Sequence, residues 1–337
     1  MIIDRYIIRE IIKPTVTICA VLVFIVGCYI STRYGEDAVH GMLPGSSVLQ
    51  LILLRILIAL EVLLPTTLYL SVVIALGRLY RDAELTAMFA CGISMPRVVK
   101  SVFLVSVIGG LIVASFSLFI RPWAWNQFFQ IKAQAEANFD LTRMKGGTFY
   151  STGGSERVIF ADKVDGQKNR AKRVFIQTKT EKSLQIIYAD RARQFKDETT
   201  GKPILVFQDG QLYEFPRSGA NGLILEFENS AMHLVPKDVI HREYKVKSVA
   251  TKTLLHSSNL EEIAELQWRL TAPLSIILLG LLGIPLSRSS PRQGKYARAP
   301  LAILIFAVYY NLSAILKKWI SQGIVAPLPG IWWAQLL

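Results

Sequence analysis

Long apolar runs bracket a polar, alternating stretch along this chain. Pro14–Thr32 carries no charge, and neither does Val62–Gly77, which Val48–Leu60 extends backward with Arg55 and then Glu61 as its charges. Ser101–Ile120, Leu270–Ser287 and Ala299–Leu316 complete the set. A helix crossing a hydrocarbon core needs roughly 20 mostly apolar residues. Runs this long and continuous exceed what a buried strand or a surface helix uses, so each predicts a membrane span. Pro327, Pro329 and Gly330 precede Ile-Trp-Trp-Ala-Gln-Leu-Leu at 331–337, which reads as the start of a sixth span. A chain ending partway into lipid would leave backbone groups unsatisfied, so a continuation beyond Leu337 is expected. The expected fold is a six-span α-helical membrane bundle, arranged 3+3 with the last span incomplete, carrying an inserted all-β domain. Its expected parts are 1–121, 122–266 and 267–337.

The segment before the first run sets Ile2, Ile3, Tyr6, Ile7 and Ile11 against Asp4, Arg5, Arg9, Glu10 and Lys13. That i, i+3/i+4 spacing predicts an interfacial amphipathic helix feeding a span. No small-residue cleavage site follows cleanly, so the run is not read as a signal peptide.

Between the membrane halves the period changes. Runs starting at Arg157, Arg173, Leu184, Pro203 and Gly222 read as short strands, with Asp165-Gly166, Thr200-Gly201, Asp209-Gly210 and Ser218-Gly219 as turn signals. Several antiparallel strands of this kind suggest a sandwich or an open roll. Both faces of Leu205-Val206-Phe207 and Leu223-Ile224-Leu225 are apolar, which fits two packed sheets and equally a roll open enough for acyl chains. Trp125–Leu141 reads as a helix prolonging span three, and Leu260–Leu266 as a short helix leading to span four.

Composition agrees with membrane, at 52% hydrophobic residues and a mean hydropathy of +0.37. Of the formal charge of +13, only +3 falls in 122–266. The rest sits beside the spans: Arg5, Arg9 and Lys13; Arg78, Arg81, Arg97 and Lys100; Arg288, Arg292, Lys295 and Arg298. The opposite short loops offer chiefly Arg33, Lys317 and Lys318. The positive-inside rule then places the N-terminus in the cytoplasm and the insert, after three spans, outside. Because charge follows topology, a nucleic-acid reading of the basic pI is the weaker one. Cys19, Cys28 and Cys91 all lie outside the insert, so no disulfide framework supports it.

Catalytic signatures are missing. Gly201-Lys202-Pro203 and Gly294-Lys295-Tyr296 lack Walker A spacing, and neither HExxH nor G-x-S-x-G occurs. His40, His233, His241 and His256 are scattered and suggest no metal set. Enzymatic activity, a metal or a cofactor held by this chain is therefore not expected.

The strongest local signal is Leu76–Ser94. Asp82 is a candidate N-cap, Glu84 suits the positive end of a helix, and Leu85, Met88 and Phe89 form one apolar stripe ending at Gly92. A short amphipathic helix at about 82–92 is expected on the cytoplasmic side. It reads either as an ordinary interfacial helix or as a coupling helix docked in a groove of a motor subunit.

These residues also carry a resemblance. Met1-Ile-Ile-Asp-Arg-Tyr with Arg9-Glu10, Leu76–Ser94, Glu265-Leu-Gln-Trp-Arg-Leu, and Ile284-Pro-Leu-Ser with Pro291-Arg-Gln-Gly-Lys resemble the LptF/LptG lipopolysaccharide-export permease family. Ala90-Cys91-Gly92 and the N-terminal Met-Ile-Ile favour its F-type branch over the paralogous G-type. The insert matches by pattern only. The resemblance implies a periplasmic β-jellyroll and residence in the bacterial inner membrane. It also implies an ATP-driven exporter that takes lipopolysaccharide from that membrane and passes it to a β-jellyroll bridge. The implied partners are an LptG-type permease, a dimer of the cytoplasmic ATPase LptB that uses ATP and Mg, the bridge proteins LptC and then LptA, membrane lipids, and lipopolysaccharide itself. Asp82, Glu84, Leu85, Met88 and Phe89 would then face the ATPase. Arg33, Arg55, Lys317 and Lys318, near one level of the membrane, would ring the outer mouth and hold lipid phosphates. A membrane-anchored periplasmic assembly or sensor protein could share the layout, and so could a membrane hydrolase. The short cytoplasmic loops weigh against the first, and the missing catalytic set against the second.

Overall fold

The computed structural model describes residues 2–39, 45–137, 146–152, 157–165, 170–179, 183–196, 203–216, 222–233, 246–288 and 298–336. The turn signals Thr200-Gly201 and Ser218-Gly219, the glycine of Asp165-Gly166, and the loop cations Arg292 and Lys295 lie outside the described residues. The chain forms two compact units. One comprises Met1–Ile30, Leu53–Gln127 and His241–Leu337; the other comprises Ser31–Ile52 and Phe128–Ile240.

The helices are α1 (Ile2–Val39), α2 (Gly45–Arg81), the short α3 (Glu84–Ala90), and α4 (Met95–Ser115), which runs through a π-helical turn (Phe116–Ile120) into α5 (Arg121–Ala137). After the strands come a single turn α6 (Thr251–Leu254), α7 (Leu260–Leu286), α8 (Ala299–Ser321), a 3-10 turn (Gly330–Trp332) and a last turn α9 (Trp333–Leu336). Among the described residues five helices are long and apolar enough to cross a membrane: Ile2–Gly35, Ser47–Arg81, Met95–Lys132, Leu260–Leu286 and Ala299–Ser321.

Helix-period spacing builds the core of the first unit. Leu68, Val72, Leu76 and Leu79 of α2 pack with Val98, Val102 and Val105 of α4 and with Ile276 and Ile284 of α7. Ile7 and Ile11 are fully buried in the same core. The N-terminal amphipathic segment is therefore continuous with the span it feeds, as the first part of α1, with its apolar face inside the bundle. The exposed positions of α4 are apolar as well, with Phe103, Leu104, Ile108 and Leu111 turned outward, as lipid contact requires.

Small residues let α4 and α7 approach. A Cβ on Gly280 would lie 2.2 Å from Ser106 Oγ, and one on Gly109 would lie 2.8 Å from the Ile276 side chain. Close backbone approach over small residues is what holds helices together where lipid tails remove the hydrophobic drive. Leu260–Leu266, read as a separate helix, is the first part of α7, whose N-cap Asn259 accepts from the Glu261 N–H at 3.2 Å.

The described strands form one six-stranded antiparallel meander in the order β1 (Thr148–Thr152), β2 (Arg157–Asp165), β3 (Arg170–Lys179), β4 (Ser183–Lys196), β5 (Pro203–Pro216) and β6 (Leu223–His233). It is a single sheet, so the two-sheet alternative is not what these strands adopt. Its buried face carries Tyr150, Ile159, Ala161, Val174, Ile176, Ala189, Leu205 and Phe207. A line of polar residues crosses it: Asp162, Arg173, Asp190, Asp209 and Glu228 each miss one pairing step while the register continues on both sides. Arg173 and Asp209 have φ of +50° and +55°. The inward positions shift by one residue across that line, from Val174 to Ala171 in β3 and from Ala189 to Ala192 in β4. This bulge-like line re-aims the side chains so that one face stays buried along both halves of each strand. The Asp162 carboxylate accepts from Arg173 across it and raises the guanidinium's pKa.

Asp209-Gly210, read as a turn, is therefore the middle of β5. The glycine is needed there because a Cβ would meet the Tyr188 carbonyl at 2.5 Å and the Phe227 ring at 2.7 Å. Gly210→Ala should destabilise the sheet by about 1–3 kcal/mol through overpacking. Hydrogen exchange on the full chain checks this: amides of β4, β5 and β6 should exchange faster, while those of α4 and α7 stay unchanged.

Candidate functional site

Five ionisable side chains from four helices meet inside the helical unit. Arg121 of α5 places Nε 2.9 Å from Glu61 Oε2 of α2 and Nη1 2.7 Å from Glu265 Oε1 of α7. Arg269, one turn after Glu265 on α7, donates from Nε to the same Oε1 at 3.2 Å. Lys317 of α8 donates from Nζ to Glu265 Oε2 at 2.5 Å. Side-chain exposure is 7% or less for Glu61, Arg121, Glu265 and Arg269, and 22% for Lys317. Charges taken out of water cost several kcal/mol each unless paired and hydrogen-bonded, so these groups hold one another in place. Three cations face two carboxylates.

Local structure aims these groups. The π-helical turn between α4 and α5 sets Ser117 Oγ 2.7 Å from Glu61 Oε1 and 3.1 Å from the Arg269 carbonyl. It also presents the Leu118 carbonyl to Thr251 Oγ1, which donates at 2.6 Å. Such turns are rare and recur at functional sites. Arg269 uses its remaining donors on the chain that leads into α6: Nη1 donates to the Val249 carbonyl and to Thr251 Oγ1, both at 2.9 Å, and Nη2 to the Lys247 carbonyl at 3.1 Å. A planar five-donor fork can serve so many acceptors at once; an ammonium could not.

The four cations expected around the outer mouth are placed differently from one another. Lys317 is in the ionic junction and also lies 5.0 Å from the centroid of Trp268. Arg55 stacks on Trp125 at 4.7 Å, and Lys247 approaches the same ring at 5.4 Å. Lys318 is exposed near the end of α8, and Arg33 is exposed on α1 within the other compact unit.

At the opposite end of the spans, polar contacts tie α1 to three helices. Glu10 pairs with Arg78 of α2 at 2.7 Å, Tyr6 donates to Glu84 of α3 at 2.6 Å, and Asp4 pairs with Arg97 of α4 at 3.1 Å. Leu85 of α3 is fully buried and Met88 and Phe89 pack against the same core, which leaves Thr86, Ala87 and Ala90 outward. Asp82 is not the N-cap: Ala83 holds that place at φ 57°, and Asp82 pairs with Arg81 at 2.9 Å. Gly92 closes the helix at φ +84°, with Ile93 N–H donating to the Met88 carbonyl and Gly92 N–H to that of Phe89. So α3 is mounted rigidly on the bundle by its stripe, its cap and one phenol–carboxylate bond.

A family model described as the lipopolysaccharide export system permease LptF/LptG matches residues 5–337. The chain belongs to the LptF/LptG permease family. It is 27% identical over 342 residues to the lipopolysaccharide export system permease protein LptF of Escherichia coli K12, covering 100% of this chain and 92% of that protein. The LptF proteins of Escherichia coli O157:H7 and Shigella flexneri match with the same figures.

An LptF/LptG permease with five long apolar helices among its described residues is a multi-pass inner-membrane transport protein, and its inserted β domain lies between the helical halves in sequence. Sequence reasoning singled out Glu61 without finding its partner, and missed Arg121, Ser117 and Thr251. The Glu265–Arg269 spacing of four was a readable signal on an apolar helix. Arg121, directly after the uncharged run ending at Ile120, was another. Arg121→Met leaves Glu61 with only Ser117 and should destabilise the chain by about 3–5 kcal/mol. Arg173→Met removes an exposed pair and should cost no more than about 1 kcal/mol. Thermal unfolding of both variants in detergent checks the contrast.

Proposed function

We propose that this chain is the F-type transmembrane subunit of an ATP-driven exporter that takes lipopolysaccharide from the inner membrane and delivers it to a periplasmic β-jellyroll bridge. The observation that carries the reading is the family match over residues 5–337, which joins both helical halves and the strand domain in one protein. The partners in this reading are an LptG-type permease, an LptB dimer that binds the ATP and Mg, and LptC and LptA beyond the membrane. The chain itself holds no cofactor. Loop charge sets the N-terminus and α3 in the cytoplasm and the β domain in the periplasm.

The mounting of α3 supports a coupling role. A motor pressing on the outward Thr86, Ala87 and Ala90 would move α1, α2 and α4 together, because Leu85, Met88 and Phe89 are seated in their shared core. Asp82 and Glu84 would meet basic groups of the ATPase at the helix start. Arg55, Lys317 and Lys318 would take lipid phosphates at the other end of the spans.

The test separates the internal bond of Glu84 from its contact with the motor. Glu84→Arg should lower lipopolysaccharide-coupled ATPase activity of the assembled complex by about tenfold or more, as loss of a buried charge contact does. Tyr6→Phe, which removes only the internal bond, should leave coupling near normal. Coupled activity that survives Glu84→Arg would contradict docking through this helix.

A further inference from the structure

We propose that Glu265 parks Lys317 and so sets how readily the chain takes up a phosphate-bearing lipid headgroup; this rests on the reading of Lys317 as a phosphate ligand. Three observations lead there. Lys317 is the most exposed member of the junction, at 22% against 7% or less for the others. Without it, Glu61 and Glu265 balance Arg121 and Arg269, so its departure strands no buried charge. The two oxygens of Glu265 also divide the work. Oε1 lies 2.7 Å from Arg121 Nη1 and 3.2 Å from Arg269 Nε. Oε2 takes Lys317 at 2.5 Å and keeps Arg121 Nη2 at 3.5 Å when the lysine leaves.

Lysine suits a cation that must change partners. Its ammonium is a point charge on a flexible stem, whereas Arg121 and Arg269 are fixed by several bonds each. The Trp268 ring, 5.0 Å from Nζ, adds a second resting contact on the same side. An incoming phosphate must then compete with an internal carboxylate, and its apparent affinity falls by the fraction of time the lysine is parked. Glu265 is on this account a positioning residue: it tunes uptake and release through Lys317 and does not touch the lipid.

The test uses the full permease complex in phosphatidylcholine nanodiscs, titrated with lipopolysaccharide or, separately, with phosphatidylglycerol. K317M should keep the unfolding midpoint and lose about tenfold in lipopolysaccharide affinity. E265D keeps a carboxylate between the arginines but shortens its reach, and Lys317, held through one oxygen on a flexible stem, is the partner most readily released. The variant should bind about three- to tenfold more tightly, and that gain should vanish in E265D/K317M. A gain confined to lipopolysaccharide identifies the substrate as the competing anion, and an equal gain with phosphatidylglycerol identifies any anionic phosphodiester headgroup; both support parking. A gain that persists in E265D/K317M, or no gain in an E265D complex with a normal midpoint, overturns it. A drop in the K317M midpoint would also overturn it, because a structural strut and not a spare cation would have been removed. Unchanged affinity in K317M would instead defeat the phosphate-ligand reading on which the proposal rests.

Discussion

Glu265 receives Arg121, Arg269 and Lys317 on two oxygens, deep among helices whose other surfaces face lipid. Much of the helical unit depends on that contact. Arg121 cannot serve Glu265 and Glu61 together unless α2, α5 and α7 are in register, while Lys317 of α8 rests on Glu265 from the more open side. Through Arg269 the arrangement extends to the carbonyls of Val246, Lys247 and Val249, which precede α6. The two carboxylates and two arginines thus fix three helices, α2, α5 and α7, and the chain returning to them. Apolar packing alone would leave their rotations far less determined, because lipid competes for every leucine.

The other end of the spans uses the same device with less burial. Asp4, Tyr6 and Glu10 lie near the start of α1 and reach α4, α3 and α2 in that order. Between the two polar ends the spans touch chiefly through valines, leucines and closely approaching glycines, with Ser275 of α7 bonded to Tyr309 of α8.

The membrane halves were legible because uncharged runs of this length have one common cause. Gly92 was legible as a helix stop for a similarly local reason, its left-handed backbone. The Asp209-Gly210 pair misled because the same two residues that favour turns also supply a left-handed residue and a missing side chain inside a strand. The step of three between buried Ala171 and Val174, and between Ala189 and Ala192, was the sequence trace of the bulge line. The ionic junction was hidden for a different reason. Glu61, Arg121 and Lys317 are far apart in sequence, and no local pattern says which buried charge will find which. Lys317 therefore read as one of four cations at the outer mouth, whereas in the fold it is one of three that meet Glu265.

The claim that the buried charges act as one unit is tested most directly by a double-mutant cycle on Glu61→Gln and Arg121→Met, followed by thermal unfolding of the full chain in detergent. If the two groups belong to one network, the double variant should unfold close to the worse single variant, since neutralising Glu61 removes the unpaired charge that Arg121→Met exposes. Losses that add, with the double variant falling by the sum of the two singles, would mean the residues contribute independently and would contradict the account.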